Sequence, residues 1–164
     1  MIEVTFLPIL ISSCLLGIEC RYDGGHSRAE DIIQKAQEIQ FIPICPEQLG
    51  GLSTPRAPSY IVKGDGKGVL SGNARVINSL GKDVTEAFIK GARESLQLAQ
   101  LTGATKAIVK DKSPSCGLNT PYCDTDTGYG LGVTAALLLN AGITIIEINP
   151  NDKNKDVIEK LQLL

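Results

Sequence analysis

The sequence predicts an α/β fold: a Rossmann-like three-layer sandwich with a mostly parallel central sheet and a small hairpin insertion. Two observations carry this. Short apolar runs alternate with segments of helical periodicity along the chain, the order expected of a mostly parallel sheet covered on both faces. No internal repeat and no linker interrupts that alternation, so residues 1–164 read as a single domain.

The first run, Phe6–Ile11, reads as a buried strand, and a polar, glycine-rich loop follows over residues 17–28. Ile32, Ile33, Ala36 and Ile39 recur at helical spacing and predict an amphipathic helix over Ala29–Gln40. Phe41–Ile44 is a short second strand that stops at Cys45-Pro46. Residues 46–59, with their prolines and glycines, read as an extended loop. Tyr60–Val62, the glycine-rich stretch 64–68 and Val69-Leu70 predict a small hairpin. Its glycines lack the Walker spacing, so they do not read as a phosphate loop. Asp83 followed by Glu86 marks a helix start, and that helix runs from about Val84 to Leu101 and stops at Gly103. Lys106–Lys110 is the third strand. Gly128, Gly130 and Gly132 precede a helix over Val133–Asn140 that Gly142 closes. Ile143–Ile148 is the fourth strand, and Lys153–Leu164 a terminal helix.

Composition sets the class. Of 164 residues, 43% are hydrophobic and 21% charged, which describes an ordinary globular chain and not a disordered one. A formal net charge of -2 argues against a general nucleic-acid binder, while leaving room for a free nucleobase or another small ligand. The amino-terminal stretch MIEVTFLPILISSCLLG has no basic leader and carries Glu3, so it reads as a buried strand, not a signal peptide. No apolar run approaches the length of a membrane span. The odd set Cys14, Cys20, Cys45, Cys116 and Cys123 argues against a disulfide framework. A reducing, cytoplasmic setting is expected, with these thiols as ligands, catalytic groups or small core residues.

Three of the five cysteines follow the ends of predicted strands. Phe6–Ser12 runs into Ser13-Cys14, Phe41–Ile44 into Cys45, and Lys106–Lys110 into Ser113-Pro114-Ser115-Cys116-Gly117. In a parallel sheet all three thiols gather at the carboxyl edge, where open α/β sheets place their ligands. Five residues separate Cys14 from Cys20 and six separate Cys116 from Cys123, so neither pair has zinc-knuckle spacing. Soft thiolates drawn from separate segments select zinc, copper(I) or an iron–sulfur cluster. A 4Fe–4S cluster normally takes four cysteines, and with three one iron stays open. Cys20 is the rival fourth ligand and Cys123 a weaker one.

Other residues carry two readings each. Glu47 lies two residues beyond Cys45; partly desolvated, it would serve as general acid or base, and otherwise it is a solvated loop glutamate. Ser113 and Ser115 flank Pro114, where a hydroxyl orients substrate or relays a proton, or simply shapes the turn. The glycines before Val133 offer backbone N–H groups to an anion, or form a connecting turn. His26, the only histidine, is a ligand or base, or neither. Arg56, between Pro55 and Pro58, contacts substrate or is exposed.

Several motifs occur together and in order: Cys14-Leu15-Leu16-Gly17 with Cys20-Arg21-Tyr22-Asp23-Gly24, then Cys45-Pro46-Glu47 with Leu49-Gly50-Gly51 and Pro55-Arg56. Ser113-Pro114-Ser115-Cys116-Gly117 and the stretch from Gly130 to Leu138 complete the set. Taken together, the chain from about Leu10 to Ile148 resembles the thiouracil desulfidase family of iron–sulfur enzymes. The resemblance implies a 4Fe–4S cluster held by Cys14, Cys45 and Cys116, with Glu47 and Ser113 serving the reaction and Cys20 outside the ligand set. It also implies a small thiolated nucleobase as substrate, no stable nucleic-acid binding and no membrane. The turn around Tyr122-Cys123-Asp124 departs from the family pattern, where a Tyr-Asp-Gly-like turn is expected, and it bears on substrate choice. The expected reaction is hydrolytic desulfuration: iron polarises a C=S bond, water attacks the carbon, Glu47 shuttles the proton and Ser113 positions the substrate. A cluster-binding sulfur carrier or redox sensor without turnover is the first alternative, and a zinc hydrolase with three thiolate ligands the second.

Overall fold

The structure is a computed structural model that describes residues 7–153. Its elements are β1 (Ile9–Ser12), a 3₁₀ turn (Ser13–Leu16), α1 (Glu30–Ile33), β2 (Phe41–Ile44), α2 (Pro46–Leu49) and β3 (Ser59–Val62). They continue with α3 (Gly66–Leu70), β4 (Arg75–Asn78), α4 (Thr85–Thr102), β5 (Lys106–Lys110), α5 (Val133–Asn140) and β6 (Thr144–Ile148). No described helix is long and apolar enough to cross a membrane.

The central sheet is parallel, in the order β2-β1-β5-β6. Its side chains alternate between two cores, as the period of a strand requires. Ile9, Ile11 and Ile108 pack on one face with Leu15 and Ile32. Leu10, Ala107 and Val109 pack on the other with Ala99 of α4 and Leu138 of α5. The chain passes from β1 outward to β2 and returns across β1 to β5, so strand order reverses at β1. The crevice beyond the carboxyl ends is formed at that reversal. Ser12 stands level with Ile44, where β1 and β2 both end, and Ile11 with Ile108, so β5 runs on only to Lys110.

The predicted α/β class, the strands β2 and β5 and the helix α5 agree with the structure, and α4 is displaced by one residue. Three local readings need correction. The helix predicted over Ala29–Gln40 holds regular geometry only through Ile33; beyond it Lys35 and Ala36 donate to carbonyls three residues back, giving successive tight turns. The stretch after Cys45 is not all extended, because Pro46 starts α2, where a missing N–H costs nothing. The small antiparallel hairpin exists, but β3 pairs with β4, while Val69 and Leu70 lie in α3. Asp65 explains the difference: its carboxylate accepts from the N–H groups of Lys67 and Gly68 and caps a helix where the glycines alone suggest a turn. The first strand, expected over Phe6–Ile11, runs over Ile9–Ser12, with Leu7 and Pro8 irregular and Phe6 outside the described residues; the terminal helix expected over Lys153–Leu164 lies outside them beyond Lys153.

Two close approaches hold α2 to α4. A Cβ on Gly91 would stand 1.8 Å from the Pro46 carbonyl oxygen, and one on Gly50 would stand 1.9 Å from the Ala87 oxygen. The Cys45-Pro46-Glu47 turn is thereby fixed against the longest helix. Gly91→Ala is expected to force α2 away from α4 and to destabilise the fold by about 1–3 kcal/mol, the usual cost of overpacking. Urea unfolding of the two proteins checks this, and an unchanged midpoint would contradict the contact.

Candidate active site

A cavity of about 290 Å³ opens at the carboxyl ends of β2, β1 and β5. Cys14, Cys20, Cys45 and Cys116 all line it, together with Glu47, Arg56 and Ser113. Each thiol arrives by a different local device. Ser13–Leu16 turns sharply after β1, and Gly17 closes the turn in the left-handed region at φ 89°, which brings Cys14 back over the strand end. Cys45 is the residue before α2, still extended, with Pro46 starting the helix. Cys20 comes from the loop after the 3₁₀ turn; its carbonyl accepts from Arg56 Nη2 at 3.0 Å and from the Cys45 thiol at 3.7 Å.

Cys116 sits in a loop that α5 holds. The N–H groups of Val133 and Thr134 donate to the carbonyls of Pro114 (3.0 Å) and Ser115 (2.8 Å). Gly132 is needed for this: a Cβ there would lie 2.5 Å from the Ser115 oxygen. The glycine run before α5 is therefore a connecting turn whose helix N–H groups serve the cysteine loop, and the anion-cradle reading is corrected. Glu147 of β6 pins the far side of the loop by accepting from Leu118 N–H at 2.5 Å and Asn119 N–H at 3.3 Å.

All five cysteines are free thiols. Their crowding shapes their acidity. The Cys20 thiol is pushed up to about 11, first by its hydrogen bond with Cys14 and further by burial, against a lowering bond with Cys45. Hydrogen bonding with Cys20, then burial, drives Cys45 far up. Burial pushes Cys116 up to about 11, opposed by the hydroxyls of Ser115 and Ser12. Cys20 and Cys45 are thereby held as neutral thiols, and Cys116 engages Ser115 Oγ at 3.6 Å. In that arrangement no group of three His, Cys, Asp or Glu side chains among the described residues stands as a metal site. The donor set nevertheless suits a soft, positively charged centre. Several thiols share one cavity, and a cation there would replace the protons that their proximity now demands.

Glu47 is neither solvated nor an isolated desolvated acid. Arg56 pairs with it through Nε at 2.6 Å and through Nη2, and both side chains are largely buried. The guanidinium supplies the compensating charge that lets a carboxylate sit in the cavity wall. Arg56 also donates to Ser53 O and Thr54 Oγ1, so it is a fixed part of the wall and not an exposed loop residue. Ser113 Oγ accepts from Cys116 N–H at 3.0 Å and Ser115 N–H at 3.3 Å, which makes it both a turn residue and a cavity-lining hydroxyl. Lys110 is paired with Asp111, not a free charge.

Two residues from the sequence reading lie elsewhere. His26 is exposed and accepts from Arg28 N–H through Nδ1, away from the cavity lining. Cys123 packs in a separate core with Ile61, Val69 and Val133, where burial and Asp65 push its thiol up to about 11. Ser12 and Glu147 were not singled out from sequence. Each left a signal: a polar residue closing the apolar run ILIS, and a carboxylate inside TIIEI.

An open parallel α/β sheet with a thiol-lined crevice at its strand-order reversal defines a soft-ligand or metal-dependent small-molecule site. The chain belongs to the 2-thiouracil desulfurase family, whose model matches residues 9–149. An uncharacterised relative, YbbK of Bacillus subtilis (strain 168), is 46% identical over 144 residues, covering 86% of this chain and 95% of the relative. A solved structure of the [4Fe-4S]-dependent thiouracil desulfidase TudS matches with a TM-score of 0.76 at 31% identity, covering 96% of this chain and 97% of that one.

The raised thiols give a direct expectation for metal-free, reduced protein. Fewer thiolates exist at a given pH when the pKa is higher, so alkylation of Cys116 and Cys123 should reach half its maximal rate near pH 11, where an ordinary thiol does so near 8.5. Iodoacetamide labelling read by mass spectrometry across pH checks it. A midpoint near 8.5 at either residue would refute the burial effect there.

Proposed function

We propose that this chain is a 4Fe–4S-dependent hydrolytic desulfidase that removes sulfur from thiolated nucleobases such as thiouracil and releases hydrogen sulfide. The single observation that carries the reading is the convergence of Cys14, Cys45 and Cys116 on one cavity that also holds Glu47 and Ser113. Family membership and the likeness to a [4Fe-4S]-dependent thiouracil desulfidase support it. In this reading Cys14, Cys45 and Cys116 hold the cluster. When bound, such a cluster with one iron free of cysteine supplies a Lewis acid for a thiocarbonyl sulfur.

The protein's own groups do the rest. Water adds at the thiocarbonyl carbon and sulfide leaves, so that C=S and water become C=O and hydrogen sulfide without net electron transfer. Glu47 handles the proton: Arg56 engages Oε2, and we assign Oε1 to take the proton from water and pass it to the departing sulfide. Ser113 Oγ already accepts from two backbone N–H groups and lies 3.3 Å from Ser115 Oγ, and we assign its hydroxyl proton, when turned from Ser115 to the cavity, to orient the substrate. The cavity of about 290 Å³ is the space that the cluster and a small substrate would share. The formal charge of -2 supports a small substrate over stable nucleic-acid binding. The unpaired cysteines support a reducing, cytoplasmic location, and the whole chain acts as one desulfidase-like domain in this proposal.

Anaerobic reconstitution with iron and sulfide, followed by assay on 2- and 4-thiouracil, tests the proposal. Brown protein that releases many sulfides per cluster is expected. Glu47→Ala should keep the colour and lose at least about 10²-fold in turnover, the scale of general acid–base catalysis. Cys116→Ala should lose the colour. A single sulfide per cluster would make the protein a carrier, and one equivalent of zinc without iron would make it a zinc enzyme.

A further inference from the structure

We propose that the hydroxyls of Ser12 and Ser115 are paired hydrogen-bond donors to the Cys116 sulfur, which makes Cys116 a less electron-donating ligand to the cluster than Cys45. The inference rests on the cluster assignment of the preceding section. Both serines act through Cys116, so they are positioning residues and not catalytic ones.

The three side chains form a closed group: Ser12 is 3% exposed, Ser115 2% and Cys116 5%. Ser115 Oγ stands 3.6 Å from Cys116 Sγ. Ser12 approaches from the end of β1, and its Oγ accepts the Lys110 N–H at 3.0 Å. That N–H occupies the acceptor side of Ser12 and leaves its own proton free to donate, and Ser12 and Cys116 both line the same cavity wall as buried side chains. In the thiol form, Ser115 Oγ or Cys116 Sγ can be the donor. A metal-bound thiolate has no proton to give, so on loading the bond between Ser115 Oγ and Cys116 Sγ requires the serine to donate, with Ser113 Oγ at 3.3 Å as the competing acceptor. Cys45 differs, because its sulfur engages the Cys20 carbonyl at 3.7 Å and no hydroxyl.

Hydrogen bonds to a ligand sulfur withdraw charge from it. They stabilise the more negative, reduced cluster and raise its potential. They also leave iron more electron-poor, which strengthens the Lewis acid a thiocarbonyl sulfur would meet. The near-complete burial of the three side chains strengthens both effects.

The test compares reconstituted wild type with Ser12→Ala, Ser115→Ala, the double variant and Ser115→Thr. The readout is the potential at which the reduced cluster's EPR signal appears. Each alanine variant is expected to shift that potential to more negative values, the double variant further still, and Ser115→Thr to return to the wild-type value. Intact clusters whose potential is unmoved in Ser115→Ala and in the double variant would overturn the proposal. Should Ser12→Ala fail to fold, Ser115→Ala with Ser115→Thr decides the question alone. A wild-type chain that takes up no iron and sulfide would overturn the reading of the preceding section, and this one with it.

Discussion

Parallel pairing of β1 on both of its edges is the constraint on which the site depends. Ser12 opposite Ile44, and Ile11 opposite Ile108, bring three strand ends to one edge of the sheet. The residues that follow each end, Cys14, Cys45 and the loop to Cys116, then need only short excursions to meet. A slip of one residue in either pairing would exchange the two faces of the strand. Leu10 would leave the core it shares with Ala107 and Val109, so the hydrophobic pattern guards the register. The cores on the two faces thus hold the thiols together, although Cys14 and Cys116 lie 102 positions apart in the chain. Edge strand β2 carries Pro43, which removes a donor from a position exposed to solvent and makes further strand addition there unfavourable.

Close backbone approaches transmit that order from the sheet to the loops. Gly132 lets the Ser115 carbonyl reach the first N–H groups of α5, and Gly66 packs against the Gly132 carbonyl in turn. Asp65 caps α3 and also accepts from Leu131 N–H at 3.3 Å, so the hairpin layer and the cysteine loop are tied by one side chain. Gly50 and Gly91 do the same for the Cys45 turn. In each case the function of the glycine is the missing Cβ, not a positive φ, because none of these four residues has left-handed backbone.

Much of this was legible in the residues. The apolar runs FIPI and KAIVK and the Gly103 stop are local signals, and local signals survive folding well. The placement of Cys14, Cys45 and Cys116 in one crevice follows from strand direction, which the alternation of elements implies. What failed were features set by a single capping side chain or by a distant partner. Asp65 converts a glycine-rich turn into a helix, and the pairing of β3 with Arg75–Asn78 depends on a strand whose own sequence, RVIN, carries little pattern. The Glu47–Arg56 pair was equally hidden: both residues were noticed, yet only the chain path after Gly51 brings them together. Ser12 was overlooked because a serine at a strand end has an ordinary turn role, and its contact with Cys116 spans most of the chain.

The electrostatics explain how one fold accommodates both a loaded and a metal-free site. Four thiolates in one buried cavity would repel one another and lose their hydration, a cost no hydrophobic contact nearby would offset. The upward shifts of Cys20, Cys45 and Cys116 mean that the metal-free fold avoids this cost by keeping its thiols protonated. Their hydrogen bonds to one another and to Ser12 and Ser115 satisfy polar atoms that burial would otherwise leave unpaired. Loading then becomes an exchange of protons for iron at a preformed cavity. It grows more favourable as pH rises towards the thiol values, while Arg56 keeps Glu47 charge-compensated on the wall throughout.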